Sequence, residues 1–151
     1  MDTTVTAGAV LLHGRFEEPV ELTMAHLRAL PEHRAEVSFD CLSAGPQRHV
    51  FEGALLWDVL RAARPLVDFK GRKQRLRHLV AVTGADGHLV VVSWAEFDPD
   101  FGAQPILLAT TMDGRPLDAE GPQLVVPTDV CGARYVSGIT AVRLAEAAAC
   151  A

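Results

Sequence analysis

Ser93-Trp94-Ala95-Glu96-Phe97-Asp98-Pro99 carries both a helix start and a helix stop. Ser and Glu three residues apart form a capping box, in which each side chain satisfies a backbone donor of the first turn. Asp98-Pro99 then ends that turn, because the residue before a proline is pushed out of helical geometry. Just upstream, Leu79-Val80-Ala81-Val82-Thr83 has the β-branched content of a strand, Gly84-Ala85-Asp86-Gly87 is a turn, and His88 to Val92 returns as a partner strand. A hairpin running straight into a one-turn helix leaves no room for long helices here. The chain is therefore expected to be rich in strands.

The same grammar extends outward. Ala9 to Gly14 reads as a strand ending in a glycine turn, and Glu18-Pro19-Val20-Glu21-Leu22 as an edge strand. Thr23 is placed to N-cap a helix from Met24 to Leu30, which Pro31 stops. Val37 to Cys41 and His49 to Glu52 read as strands, the second ending at Gly53. Leu55, Leu56, Val59 and Leu60 recur at helical spacing, with Trp57 at the margin. Ile106 to Thr110, Leu124 to Val126 and Ile139 to Leu144 complete the strands, and Asp113-Gly114 is a turn. The expected fold is α+β, with strand-rich mixed sheets and two or three short helices. Residues 1–146 are expected to form a single domain, with 147–151 a C-terminal tail holding Cys150.

Composition narrows the function. The 151 residues are 49% hydrophobic and 22% charged, an ordinary globular mixture long enough for one core. A net charge of −5 argues against a broad nucleic-acid or anionic-membrane surface. Five of the 14 basic residues crowd into Lys70 to Arg77, which reads as a solvated loop or, less readily, a patch for an anion. No segment is apolar for long enough to span a membrane. Met1-Asp2-Thr3-Thr4 lacks the start of an export signal, so the expected location is cytoplasmic.

Three cysteines, at 41, 131 and 150, match no metal-finger spacing. Cys41 ends a strand and opens the polar stretch Leu42-Ser43-Ala44-Gly45-Pro46-Gln47-Arg48. It reads as a soft metal ligand, a redox thiol or a small buried filler. A disulfide or dithiol with Cys131 is a further expectation. Arg134 and Arg48 are candidate anion donors, each with a plain salt bridge as the alternative. His49, His88 and Asp129 read more simply as structural residues.

The ordered series resembles the molybdopterin-binding domain of the sulfite oxidase family. Its members in this chain are Ser93 to Pro99, Leu107-Leu108-Ala109, Asp113-Gly114-Arg115-Pro116-Leu117, Gly121-Pro122, Val125-Val126-Pro127 and Gly132-Ala133-Arg134-Tyr135-Val136. Gly14, Pro19, Pro31, the strand into Cys41 and Gly53 to Leu60 agree with it. The resemblance implies a molybdenum-molybdopterin cofactor with Cys41 as the metal ligand, and Arg48, Cys131, Gly132 and Arg134 as cofactor-binding residues. Cys41 and Arg134 would then be catalytic, in an oxidoreductase that transfers an oxygen atom and two electrons. The implied substrate is a small oxyanion or sulfur compound. Without a haem or flavin motif, electrons would leave to an electron-transfer protein.

The chain also departs from the family pattern. After the cysteine it has a glycine and an arginine, but no Gly-Asn-Arg. Ser137 and Gly138 stand where the family places lysine and tryptophan, and His88 and Leu89 lie near the family's tyrosine position. Several pterin contacts are missing. A rival reading is therefore a cofactor-free binding or assembly module that keeps the fold. A third is a homo-oligomer or partner subunit whose site needs a second chain.

Overall fold

The computed structural model describes residues 8–150. In chain order the strands are β1 (Val10–Gly14), β2 (Val20–Leu22), β3 (Glu32–Cys41), β4 (Gly45–Leu55), β5 (His78–Gly84), β6 (Leu89–Ser93), β7 (Leu107–Met112), β8 (Arg115–Pro116), β9 (Gln123–Val125) and β10 (Ile139–Glu146). The helices are α1 (Met24–Arg28), α2 (Leu56–Ala62), α3 (Arg72–Arg75) and α4 (Trp94–Phe97). Two five-stranded sheets share one core, an α+β fold as expected from the sequence.

The first sheet has the order β2-β1-β10-β5-β6. β10 lies parallel to β1 and antiparallel to β5, so the sheet is mixed. Period-two burial appears along β5, where His78, Val80, Val82 and Gly84 face inward, and along β6, where Val90 and Val92 do. β2, which Pro19 precedes, is an edge strand.

The second sheet runs β3-β4-β7-β8, with β9 also on β7. Its long β3–β4 hairpin pairs from Glu32 with Ala54 out to Cys41 with Gly45. This corrects the reading of residues 42–48 as a polar loop: the turn is only Leu42 to Ala44, and Arg48 lies on a strand. Proline and glycine misled the reading. Pro46 is tolerated because β7 flanks β4 only from Phe51 onward, so no third strand needs its missing N–H. The Asp113-Gly114 turn has both residues at positive φ, 52° and 78°, the twist that suits a tight hairpin.

The helix ends follow their caps. Thr23 accepts the His26 N–H at 3.2 Å while His26 Nδ1 accepts the Thr23 N–H at 3.1 Å, a capping box with histidine in the usual Glu position. In α4, the Glu96 carboxylate accepts the Ser93 N–H at 2.8 Å, as the sequence predicts. α3 lies within the basic stretch, and here the solvated-loop reading fails for one residue. Arg75 is buried, with Nη1 donating to Asp98 at 2.9 Å and Nη2 to Asp100 at 2.7 Å. Its carboxylate partners lie more than twenty residues away, beyond the reach of a local charge pattern. After β10 the expected tail makes a 3-10 turn over Ala147–Cys150, and the Ala147 N–H bonds to the Arg77 carbonyl.

Candidate functional site

Cys41 sits half-buried at the last pair of the β3–β4 hairpin. Strand alternation puts it on the same face as Val37 and Phe39, the inner face, but beyond the packed core. The turn folds back on the sulfur, with Sγ 3.3 Å from the Ser43 hydroxyl. That hydroxyl, then the backbone N–H groups of Ser43 and Ala44, hold the thiol below its usual pKa. Ser43→Ala is expected to move the pH midpoint of Cys41 alkylation upward. Iodoacetamide rates across the pH range measure it, and an unchanged midpoint would contradict the assignment.

The segment after Pro127 packs against this hairpin. The Asp40 N–H donates to the Val130 carbonyl at 2.9 Å, and Asp40 bridges Cys131 in parallel. Paired residues share a face and successive residues alternate, so Asp40 and Cys131 lie on one side and Cys41 on the other. The two thiols are both free and are turned to opposite sides by this register. Gly132 falls on the Cys41 side, where it is covered. A Cβ there would lie 2.5 Å from Phe39 Cδ2. Phe39 in turn packs on Tyr135, with ring centroids 4.3 Å apart. Among the described residues the Tyr135 hydroxyl is buried without a hydrogen-bond partner, and burial, then the Asp129 charge, pushes its pKa up to about 12.

Arg134 follows in the 3-10 turn Gly132–Arg134 and is held on three sides. Nε and Nη2 donate to Asp129 at 2.8 and 2.9 Å, and Nη2 and Nη1 donate to Glu96 at 2.9 and 3.2 Å. Nη1 also reaches the Val91 carbonyl at 3.3 Å. A guanidinium has five N–H donors, and five bonds are made. Asp129 and Glu96 together raise the Arg134 pKa further above its already high value. His88 closes the arrangement by donating Nε2–H to the Ala133 carbonyl at 2.8 Å. In this arrangement Arg134 braces α4, β6 and the 127–134 segment and has no donor left for an anion.

This brace is sensitive to acid. Burial pushes the Glu96 carboxyl up, but hydrogen bonds from Arg134 and from the Ser93 amide outweigh it, and the net pKa is lowered. A carboxyl with a depressed folded pKa stabilises the fold fully above its unfolded pKa, about 4.3, and loses that contribution as pH falls through the folded value. Arg134→Met is expected to cost about 1–2 kcal/mol at pH 7. Urea unfolding at pH 7 and pH 3 tests this, since the gap to the parent should shrink in acid. A gap independent of pH would contradict it.

Arg48 belongs to neither cluster. Its register partner is Ser38, so it faces away from Cys41 on the outer side of the hairpin. It lines a cavity of about 420 Å3 with Glu36, Ser38, His49 and Asp113, residues from both faces of the hairpin. His49 Nδ1 lies 2.7 Å from Asp113 Oδ2, and the Val50 amide, then His49, lower the Asp113 pKa. Among the described residues no three His, Cys, Asp or Glu side chains converge to hold a metal. A lone thiolate would depend on a pterin to keep molybdenum in place. The residues that would hold that pterin are dispersed: Arg48 faces outward, Gly132 is covered, and Arg134 is fully bonded. The residues present do not fit the cofactor as one cradle. Sequence reasoning missed Asp129 and Glu96 as the partners of Arg134, although the capping box had already singled out Glu96.

The comparisons with known proteins agree with the fold. Residues 9–149 match the family model for the oxidoreductase molybdopterin binding domain, and the chain belongs to that family. Among solved structures it is similar to the sulfane dehydrogenase SoxCD from Paracoccus pantotrophus, with a TM-score of 0.73 at 15% identity. That match covers 96% of this chain and 40% of the other, and at this identity it speaks for the fold alone. No curated protein sequence gives a significant match. No helix among the described residues is long and apolar enough to cross a membrane.

Proposed function

We propose that this chain is a cofactor-free binding or assembly module, one that keeps the molybdopterin-domain fold without a pterin cradle of its own. The observation that carries this reading is Arg134, the best-placed anion donor, with its five N–H groups taken by Asp129, Glu96 and the Val91 carbonyl. Freeing it would leave two half-buried carboxylates without their cation, at a cost of several hydrogen bonds to charged groups. Native mass spectrometry of protein from a host that assembles molybdopterin tests the proposal. The expected mass is that of polypeptide, alone or with a partner chain. An added molybdopterin mass on most molecules would overturn it.

One observation favours a second reading. The Cys41 turn stabilises a thiolate, which is what a molybdenum ligand needs. Under that reading Cys41 binds molybdenum in an oxidoreductase acting on a small oxyanion or sulfur compound, and a separate protein accepts the electrons. Cys41→Ser separates the two. Loss of a bound metal supports the enzyme, and an unchanged metal-free mass supports the module. Mass in solution also reports whether the working unit is a homo-oligomer.

A further inference from the structure

Half of the basic residues of this acidic chain fall in one short stretch. Between 61 and 77 there are seven of the 14 lysines and arginines and one acidic residue, Asp68, a net of +6. The rest of the chain carries −11, which returns the total to −5. The stretch runs from the end of α2 through α3 to the start of β5. Two of its cations are neutralised inside the protein: Arg64 lies 3.8 Å from Glu17, and buried Arg75 donates to Asp98 and Asp100. The other five, Arg61, Lys70, Arg72, Lys73 and Arg77, are exposed, and none makes a salt bridge among the described residues. Arg61 lies over the Phe69 ring, 3.9 Å from its centroid, which sets it beside Lys70. Arg72 and Lys73 open α3, which the Arg75 ion pairs pin to the chain after α4. Leu66 and Leu76, 46% and 48% exposed, belong to the same end of the first sheet. The Leu66 N–H donates to the Arg15 carbonyl at 2.8 Å, and the Arg15 guanidinium lies 3.7 Å from Glu146. The next amide, of Ala147, donates to the Arg77 carbonyl at 2.6 Å.

Unpaired cations around exposed leucines are complementary to an anionic surface that also carries apolar side chains. A nucleic acid or an anionic membrane fits poorly, because a charge of −11 on the rest of the chain repels an extended polyanion. The aromatic rings here also offer no free face to a base: Arg61 covers Phe69, and Trp57 packs edge-on to Phe69 and Trp94. A short acidic segment of a protein meets only the five cations. We propose that the surface of Arg61, Lys70, Arg72, Lys73 and Arg77 docks such a segment of a partner protein, one whose carboxylates are interleaved with apolar residues that cover Leu66 and Leu76. The connection that builds this surface holds neither Cys41 nor Arg134. The surface therefore goes beyond the binding-module reading and stands whether or not the Cys41 region takes a cofactor.

The probe is a soluble peptide in which pairs of glutamates are separated by single leucines, titrated at pH 7 into the whole isotope-labelled chain. Its comparisons are the same peptide with serine for leucine, single-stranded oligothymidylate, and vesicles of phosphatidylserine and phosphatidylcholine. The leucine peptide should saturably shift the backbone amide signals of Phe69, Lys70, Lys73 and Leu76, with affinity falling as salt is added. The serine peptide should bind about threefold more weakly. Lys73→Glu should weaken the leucine peptide about tenfold. Arg115→Glu, the same charge change on β8 in the other sheet, should leave it within about twofold of the parent. Both positions are exposed, so both variants should keep melting temperatures close to that of the parent. Four results would overturn the proposal: no saturable shift, equal weakening by the two variants, equal binding of the serine peptide, or tighter binding of the oligonucleotide or the vesicles.

Discussion

Asp98→Ala is expected to remove about 3–5 kcal/mol of folding stability, the usual cost of breaking a buried ion pair from one side. Asp98 is 1% exposed and accepts two side-chain donors on one oxygen: Trp94 Nε1 at 2.7 Å and Arg75 Nη1 at 2.9 Å. Its other oxygen accepts the Asp100 N–H at 2.8 Å, which holds the chain as it leaves α4. Alanine would strand the indole N–H of the fully buried Trp94 and leave the buried Arg75 guanidinium with only Asp100. Asp98→Asn keeps an acceptor for Trp94 and loses the charge, so it should fall between alanine and the parent. Equilibrium unfolding in guanidinium chloride measures both, and an alanine variant within about 1 kcal/mol of the parent would show that the network adds little.

Gly53→Ala is expected to be nearly as damaging, at about 3 kcal/mol or more. Gly53 lies at the β4–β7 bulge, where the strands approach closely. A Cβ there would lie 2.2 Å from the Leu108 carbonyl oxygen and 2.5 Å from the Ala109 Cα. Both are backbone atoms, so no rotamer change relieves the clash and β4 must shift against β7. Gly71 is the control, since a Cβ there meets nothing nearer than 3.8 Å. Thermal unfolding should separate the two variants clearly. Equal melting temperatures would contradict the close approach.

Local signals carried much of the fold. The Ser93–Glu96 box, the Gly84 to Gly87 turn and the Thr23 cap are short-range chemistry, and all three stand in the structure. What escaped depends on distant partners. Arg75 looked solvated because its neighbours in sequence are basic, while Asp98 and Asp100 come to it only through the fold. Gly45-Pro46 looked like a loop because the sequence does not reveal that β4 has no third neighbour there. The candidate site was hardest to read. Cys41 and Arg48 lie on the β3–β4 hairpin, Cys131 is on the segment bridged to it, and Arg134 is in the 3-10 turn that follows. Strand register turns Arg48 and Cys131 away from Cys41, and a one-residue difference in register reverses such an assignment.

The guanidinium of residue 134 is bonded within the protein and not turned to a ligand. A crystal structure of the protein purified from cells that make molybdopterin tests it most directly. The predicted result is Arg134 bonded to both Asp129 and Glu96, with no pterin beside Cys41. A guanidinium swung away from those carboxylates onto a pterin phosphate, with Cys41 sulfur bound to molybdenum, would contradict it.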